Sequence, residues 1–68
     1  MIHKTAIVDS KAKISEKAII GPYSIVGPHV QIDEGTEIQS HVNITGNKII
    51  GSNTIVFPFA SIGTNRQD

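Results

Sequence analysis

No cysteine and no tryptophan occur in these 68 residues, which excludes a disulfide framework and any thiolate metal site. Aromatic side chains are scarce too, one Tyr and two Phe, so the interior has to be built from aliphatic groups. Neither sign of charge is in excess, since six Lys and Arg meet six Asp and Glu. The chain therefore lacks the basic footprint that attracts a phosphate backbone or an anionic bilayer, and nucleic acid is not an expected partner. No apolar run is long enough to span a membrane as a helix, and the opening MIHKTAIVDS lacks the apolar stretch of a secretion signal. The expectation is a cytoplasmic chain with no membrane insertion. No G-x-G-x-x-G, P-loop or zinc-ligand spacing is present, so neither a cofactor nor a metal is expected.

What is present is a period. Stepping by six from Ile2 gives Val8, Ile14, Ile20, Val26, Ile32, Ile38, Ile44, Ile50, Val56 and Ile62, every one Ile or Val, although only 18 of the 68 residues are of those types. Two positions earlier sits a second, usually smaller residue: Ala6, Ala12, Ala18, Ser24, Val30, Thr36, Val42, Thr54 and Ala60. Side chains two apart on a strand share a face, so each repeat offers one large and one small group to a common interior. Two positions later the same parity meets Pro, Gly, Ser, Glu, Lys or Thr, and the strand has to turn there. Gly21, Gly27, Gly51 and Gly63 directly follow the large residue and are the expected places for the bend.

A strand that turns every six residues with the same face inward has to close on itself. Three sides are the fewest that close, which predicts an all-β parallel β-helix of about four triangular coils with about 18 residues per turn. The pattern does not decide the hand of the coil, although right-handed crossovers are the general rule for parallel strands. Residues 1–68 form one domain in this reading. So thin a prism buries only about 60% of the surface its unfolded chain exposes, and association with other copies is expected to contribute stability.

An 18-residue turn stacks Tyr23, His41 and Phe59 in one column at a corner, with Phe57 beside it. The outward residues on the two flanking sides are partly apolar, namely Ile19 and Ile55 on one and Ile7 and Ile25 on the other, whereas the third side shows Lys13, Gln31, Ile49 and Gln67. A corner that is apolar on one side of the prism only suits a subunit contact. His29 and His41 fall at turn positions of different corners and His3 on the first repeat, so no catalytic role is assigned to any of them. Lys48 and Arg66 occupy small inward positions, where an unpaired charge is costly, and predict local bulges near Gly46 and Asn47 and past Gly63.

The stretches IGPYSIVGPHV, Ser40 to Val42 and PFASIG, together with the Gln67 and Asp68 pair, resemble the UDP-N-acetylglucosamine O-acyltransferases of lipid A synthesis. The resemblance extends back through MIHKTAIVDSKAKI and so covers the whole chain, as the amino-terminal portion of that family's hexapeptide-repeat helix. It implies a left-handed coil and a homotrimer. It also implies transfer of a 3-hydroxyacyl group from acyl carrier protein to the 3-hydroxyl of UDP-N-acetylglucosamine. By the same resemblance the chain corresponds to roughly the first quarter of such an enzyme, truncated at its C-terminal end and inactive alone, because the family's general-base histidine lies further along. Gln67 and Asp68 match the family's pair at the nucleotide-sugar site, where a carboxylate accepts hydrogen bonds from sugar hydroxyls; a frayed terminus is the competing reading. Two alternatives of other kinds remain: a trimerising assembly module without catalysis, and another nucleotide-sugar acyltransferase of the hexapeptide class. A trimeric hexapeptide carbonic anhydrase would need a carboxylate and histidine set that does not stand out here.

Overall fold

The computed structural model describes residues 1–63. Ten short strands succeed one another: β1 (Ile7–Val8), β2 (Lys13–Ile14), β3 (Ile19–Ile20), β4 (Ile25–Val26), β5 (Val30–Ile32), β6 (Glu37–Ile38), β7 (Asn43–Ile44), β8 (Lys48–Ile50), β9 (Ile55–Val56) and β10 (Ser61–Ile62). They build three parallel sheets, ordered β1-β4-β7-β10, β2-β5-β8 and β3-β6-β9. Each strand from β1 to β7 therefore pairs with the one three places later. Ile7 lies against Ile25, Lys13 against Gln31 and Ile19 against Glu37, each a shift of 18 residues. The result is a three-sided parallel β-helix with three complete turns and a fourth begun in β10. No helix occurs among the described residues.

The six-residue phase is the inward phase. Ile20, Val26, Ile32, Ile38, Ile44 and Val56 are buried, and so are the small partners Ala18, Val30 and Val42. Burial fades toward the ends: Val8 and Ile14 are half-buried and Ile2 is exposed, because those coils have a neighbour on one side only. Two of the buried inward positions carry hydroxyls, and both are satisfied. Ser24 Oγ donates to the Gln39 carbonyl at 2.7 Å and accepts the Val42 N–H at 3.1 Å. Thr36 Oγ1 donates to the Gly51 carbonyl and accepts the Thr54 N–H at 3.3 Å. Each buried hydroxyl thus ties its own coil to the next, where an unmade bond would cost about 1–3 kcal/mol.

The corners differ from the expectation. Of the four glycines only Gly63 (φ 88°) adopts the left-handed conformation; after Gly21, Gly27 and Gly51 the residue two further on does, at Tyr23 (φ 60°), His29 (φ 66°) and Asn53 (φ 57°), and equivalent corners bend at Gly35 (φ 76°), His41 (φ 58°) and Phe59 (φ 67°). The second and later coils place such a residue at their corners even where the side chain is aromatic, against a local preference for Gly or Asn, whereas Thr5, Lys11 and Lys17 at the corners of the first coil do without it. Gly21 is needed for another reason: a Cβ there would lie 2.8 Å from the Gln39 carbonyl of the next coil.

Near Gly46 and Asn47 the corner is shifted by one residue, its left-handed residue being Gly46 (φ 84°), but no bulge interrupts the strand that follows. The register runs through it unbroken, Val30 against Lys48, Gln31 against Ile49 and Ile32 against Ile50. No coil of described residues covers β8, so the Lys48 side chain is exposed rather than forced into a closed core. Arg66 lies outside the described residues.

Candidate functional surface

Three faces and three corners offer few places for chemistry, and the most developed is the corner between the β3-β6-β9 and β1-β4-β7-β10 sheets. The 18-residue turn brings Tyr23, His41 and Phe59 into one stack there, with ring centroids 5.2 Å apart for Tyr23 and His41 and 5.0 Å for His41 and Phe59. The interplanar angles of 28° and 21° make this a parallel ladder. Its foot is anchored, since the Tyr23 N–H donates to Thr5 Oγ1 at 3.1 Å. Thr5 in turn meets His3: its N–H donates to His3 Nδ1 at 3.2 Å, which makes Nδ1 the acceptor and leaves the ring hydrogen on Nε2.

All three rings sit on left-handed backbone, a strain of order 1 kcal/mol or more at each, and yet they are solvent-facing: Tyr23 is 61% and Phe59 77% exposed. Ile7, Ile25, Ile19, Ile55 and Phe57 flank the ladder and are exposed too. Beside it, on the β3-β6-β9 face, a groove of about 370 Å³ is lined by Met1, His3, Ile19, Pro22, Gln39 and Pro58 among others. Its acidic side chain, Glu37, accepts from the Gln39 amide at 3.5 Å, and the Met1 ammonium donates to the Ala18 carbonyl. The sequence pattern located the column of rings but not this groove, whose wall is supplied by the first residues of the chain; the recurrence of Pro22, Ser40 and Pro58 one turn apart was the signal for it.

The three histidines do not converge. His3 is engaged by Thr5, both faces of His41 are covered by Tyr23 and Phe59, and His29 stands at a different corner. Among the described residues no group of His, Asp and Glu could hold a metal ion, and no helix is long and apolar enough to cross a membrane. Gln67 and Asp68, expected at a nucleotide-sugar site, lie outside the described residues.

Comparison with known proteins bears on what such a surface belongs to. Residues 11–46 match the family model described as bacterial transferase hexapeptide (six repeats). A protein of Thermodesulfovibrio yellowstonii is 49% identical over 67 residues, which are 98% of this chain and 26% of the relative. One of Psychrobacter sp. is 55% identical over 67 residues with the same shares, and one of Rickettsia felis 52% over 62 residues, 91% of this chain and 24% of the relative. All three are named acyl-(acyl-carrier-protein)–UDP-N-acetylglucosamine O-acyltransferase. The chain spans about a quarter of the length of the curated relatives it matches.

Proposed function

This chain belongs to the bacterial transferase hexapeptide family, and on that premise we propose that it is part of a cytoplasmic acyltransferase of lipid A synthesis. The reaction is transfer of a 3-hydroxyacyl group from acyl carrier protein to the 3-hydroxyl of UDP-N-acetylglucosamine. The observation that carries this reading is identity of 49–55% to enzymes of that name along 91–98% of the chain. In the transfer, the sugar hydroxyl oxygen attacks the thioester carbonyl, the C–S bond breaks, the carrier thiol leaves, and a base takes the hydroxyl proton. That base has to stand within about 3 Å of the hydroxyl, and the donor has to be held in line with it. His3, His29 and His41 occupy separate places and do not meet this requirement together. The contribution of this chain is therefore scaffolding: a rigid coil, a left-handed winding by family resemblance, one edge of the sugar site at Gln67 and Asp68, and a trimer contact along the Tyr23, His41 and Phe59 ladder. Exposed apolar groups of that extent on one side of a thin prism support the contact.

A trimerising assembly module without catalysis is the second reading, favoured by the separation of the histidines. Exchange of parts distinguishes the two. When these 68 residues replace the matching quarter of the Psychrobacter enzyme, acyl transfer is expected to stay within about tenfold of the parent, while the 68-residue chain alone shows no turnover. A hybrid that folds with the parent's subunit number but transfers no acyl group would contradict the acyltransferase reading and favour the assembly module.

A further inference from the structure

The corner between the β1-β4-β7-β10 and β2-β5-β8 sheets, away from the aromatic ladder, holds a cleft that the acyl-transfer reading does not use. Lys11 and Lys13 of the first coil and His29 and Gln31 of the second border a space of about 250 Å³, with Val30 behind it. Lys13 is in register with Gln31, and His29 stands 18 residues after Lys11, one turn on, so the four side chains form a square across two coils. The carboxylates nearest in sequence are already engaged. Asp9 Oδ1 accepts the Lys11 backbone N–H at 2.9 Å, and Asp33 Oδ1 accepts the Gln31 amide at 3.0 Å. Neither lysine ammonium forms an ion pair with another described residue.

The backbone adds a donor. At four corners the left-handed residue gives its N–H to a carbonyl of the coil below, Gly35 to Lys17 at 3.1 Å, His41 to Pro22 at 3.0 Å, Asn53 to Glu34 at 3.1 Å and Phe59 to Ser40 at 3.2 Å, and at a fifth Tyr23 gives it to Thr5 Oγ1 at 3.1 Å. His29 shares their conformation, with φ 66°, yet its N–H makes no such bond to a described residue. A backbone N–H without a protein acceptor is a good donor to an oxyanion, although Pro28 before it has no N–H to add.

We propose that this cleft binds a single phosphate-type dianion, held by the Lys11 and Lys13 ammonium groups, the His29 backbone N–H and the His29 ring N–H, which the imidazole offers in either tautomer. The volume corresponds to roughly eight waters at about 30 Å³ each, room for one such group with part of its hydration shell. A free inorganic ion and a phosphate at the end of a nucleotide share this chemistry.

The test is a titration of the isotope-labelled chain with inorganic phosphate at constant ionic strength, following the backbone amides of Lys11, Lys13, His29 and Gln31, with chloride as control. Saturable shifts confined to these amides and absent with chloride are expected. Lys11→Ala with Lys13→Ala should raise the midpoint about tenfold, since two charge-assisted contacts are lost. Both positions are exposed, so the spectrum elsewhere should stay that of the parent. A lower midpoint with uridine diphosphate would support the site with a nucleotide-borne phosphate as its ligand, and an equal one would support it with the free anion. Linear shifts shared with chloride, or a midpoint that the double variant leaves unchanged, would overturn the proposal.

Discussion

Ile44→Ala is expected to destabilise the protein by about 2–5 kcal/mol, the range for removing a buried Ile without collapse of the cavity. Ile44 is fully buried in β7, with Val26 of β4 on one side and Ile62 of β10 on the other. It thus has a coil both above and below, and neither can move inward without breaking its own ladder. In a domain of this size that loss lowers the melting temperature by roughly 10 °C or more at fixed protein concentration. Ile49→Ala is the control. Ile49 is the same residue type, next to the inward Ile50 of the following repeat, but points outward and is 70% exposed, so its truncation stays within about 0.5 kcal/mol. Thermal melts of the two variants decide the matter: if they coincide, the inward phase is misassigned.

Tyr23→Glu combined with Phe59→Glu is expected to reduce the mass per particle about threefold at micromolar concentration, from the proposed trimer to single chains. The two rings end the ladder and leave His41 between them, so the double change removes both stacked contacts and sets two carboxylates along one apolar corner. Stacked pairs of this kind contribute about 0.5–1.5 kcal/mol each beyond their area, and burial of two charges in a subunit contact adds a larger penalty. The positions face solvent in the single chain, so glutamate does not disturb the interior. Light scattering that gives the same mass for variant and parent would remove this corner from the contact.

Much of the architecture is legible in the sequence, because a six-residue period in Ile and Val records side-chain direction directly. The inward phase, the three faces, the 18-residue register and the column of Tyr23, His41 and Phe59 all follow from that one count. The corners do not. The local signal for their left-handed residues stands at Gly35, Gly46, Asn53 and Gly63, while Tyr23, His29, His41 and Phe59 adopt the same conformation against their local preference. Gly21 looks like a bend and is instead a close approach to the next coil. Lys48 looks like an irregularity and is instead a regular position on a strand that no described coil covers. The cleft at Lys11, Lys13 and His29 is invisible to the period, since it arises from outward residues of two coils and from one corner N–H with no bond to a described residue.

Every placement discussed above rests on the 18-residue register, and backbone proton contacts in solution test it most directly. Inter-strand contacts are expected between Ile7 and Ile25, Ile25 and Asn43, and Gln31 and Ile49, all in the parallel pattern. Contacts between successive repeats six residues apart in an antiparallel pattern would contradict the three-sided coil, and with it the ladder, the subunit contact and the anion cleft.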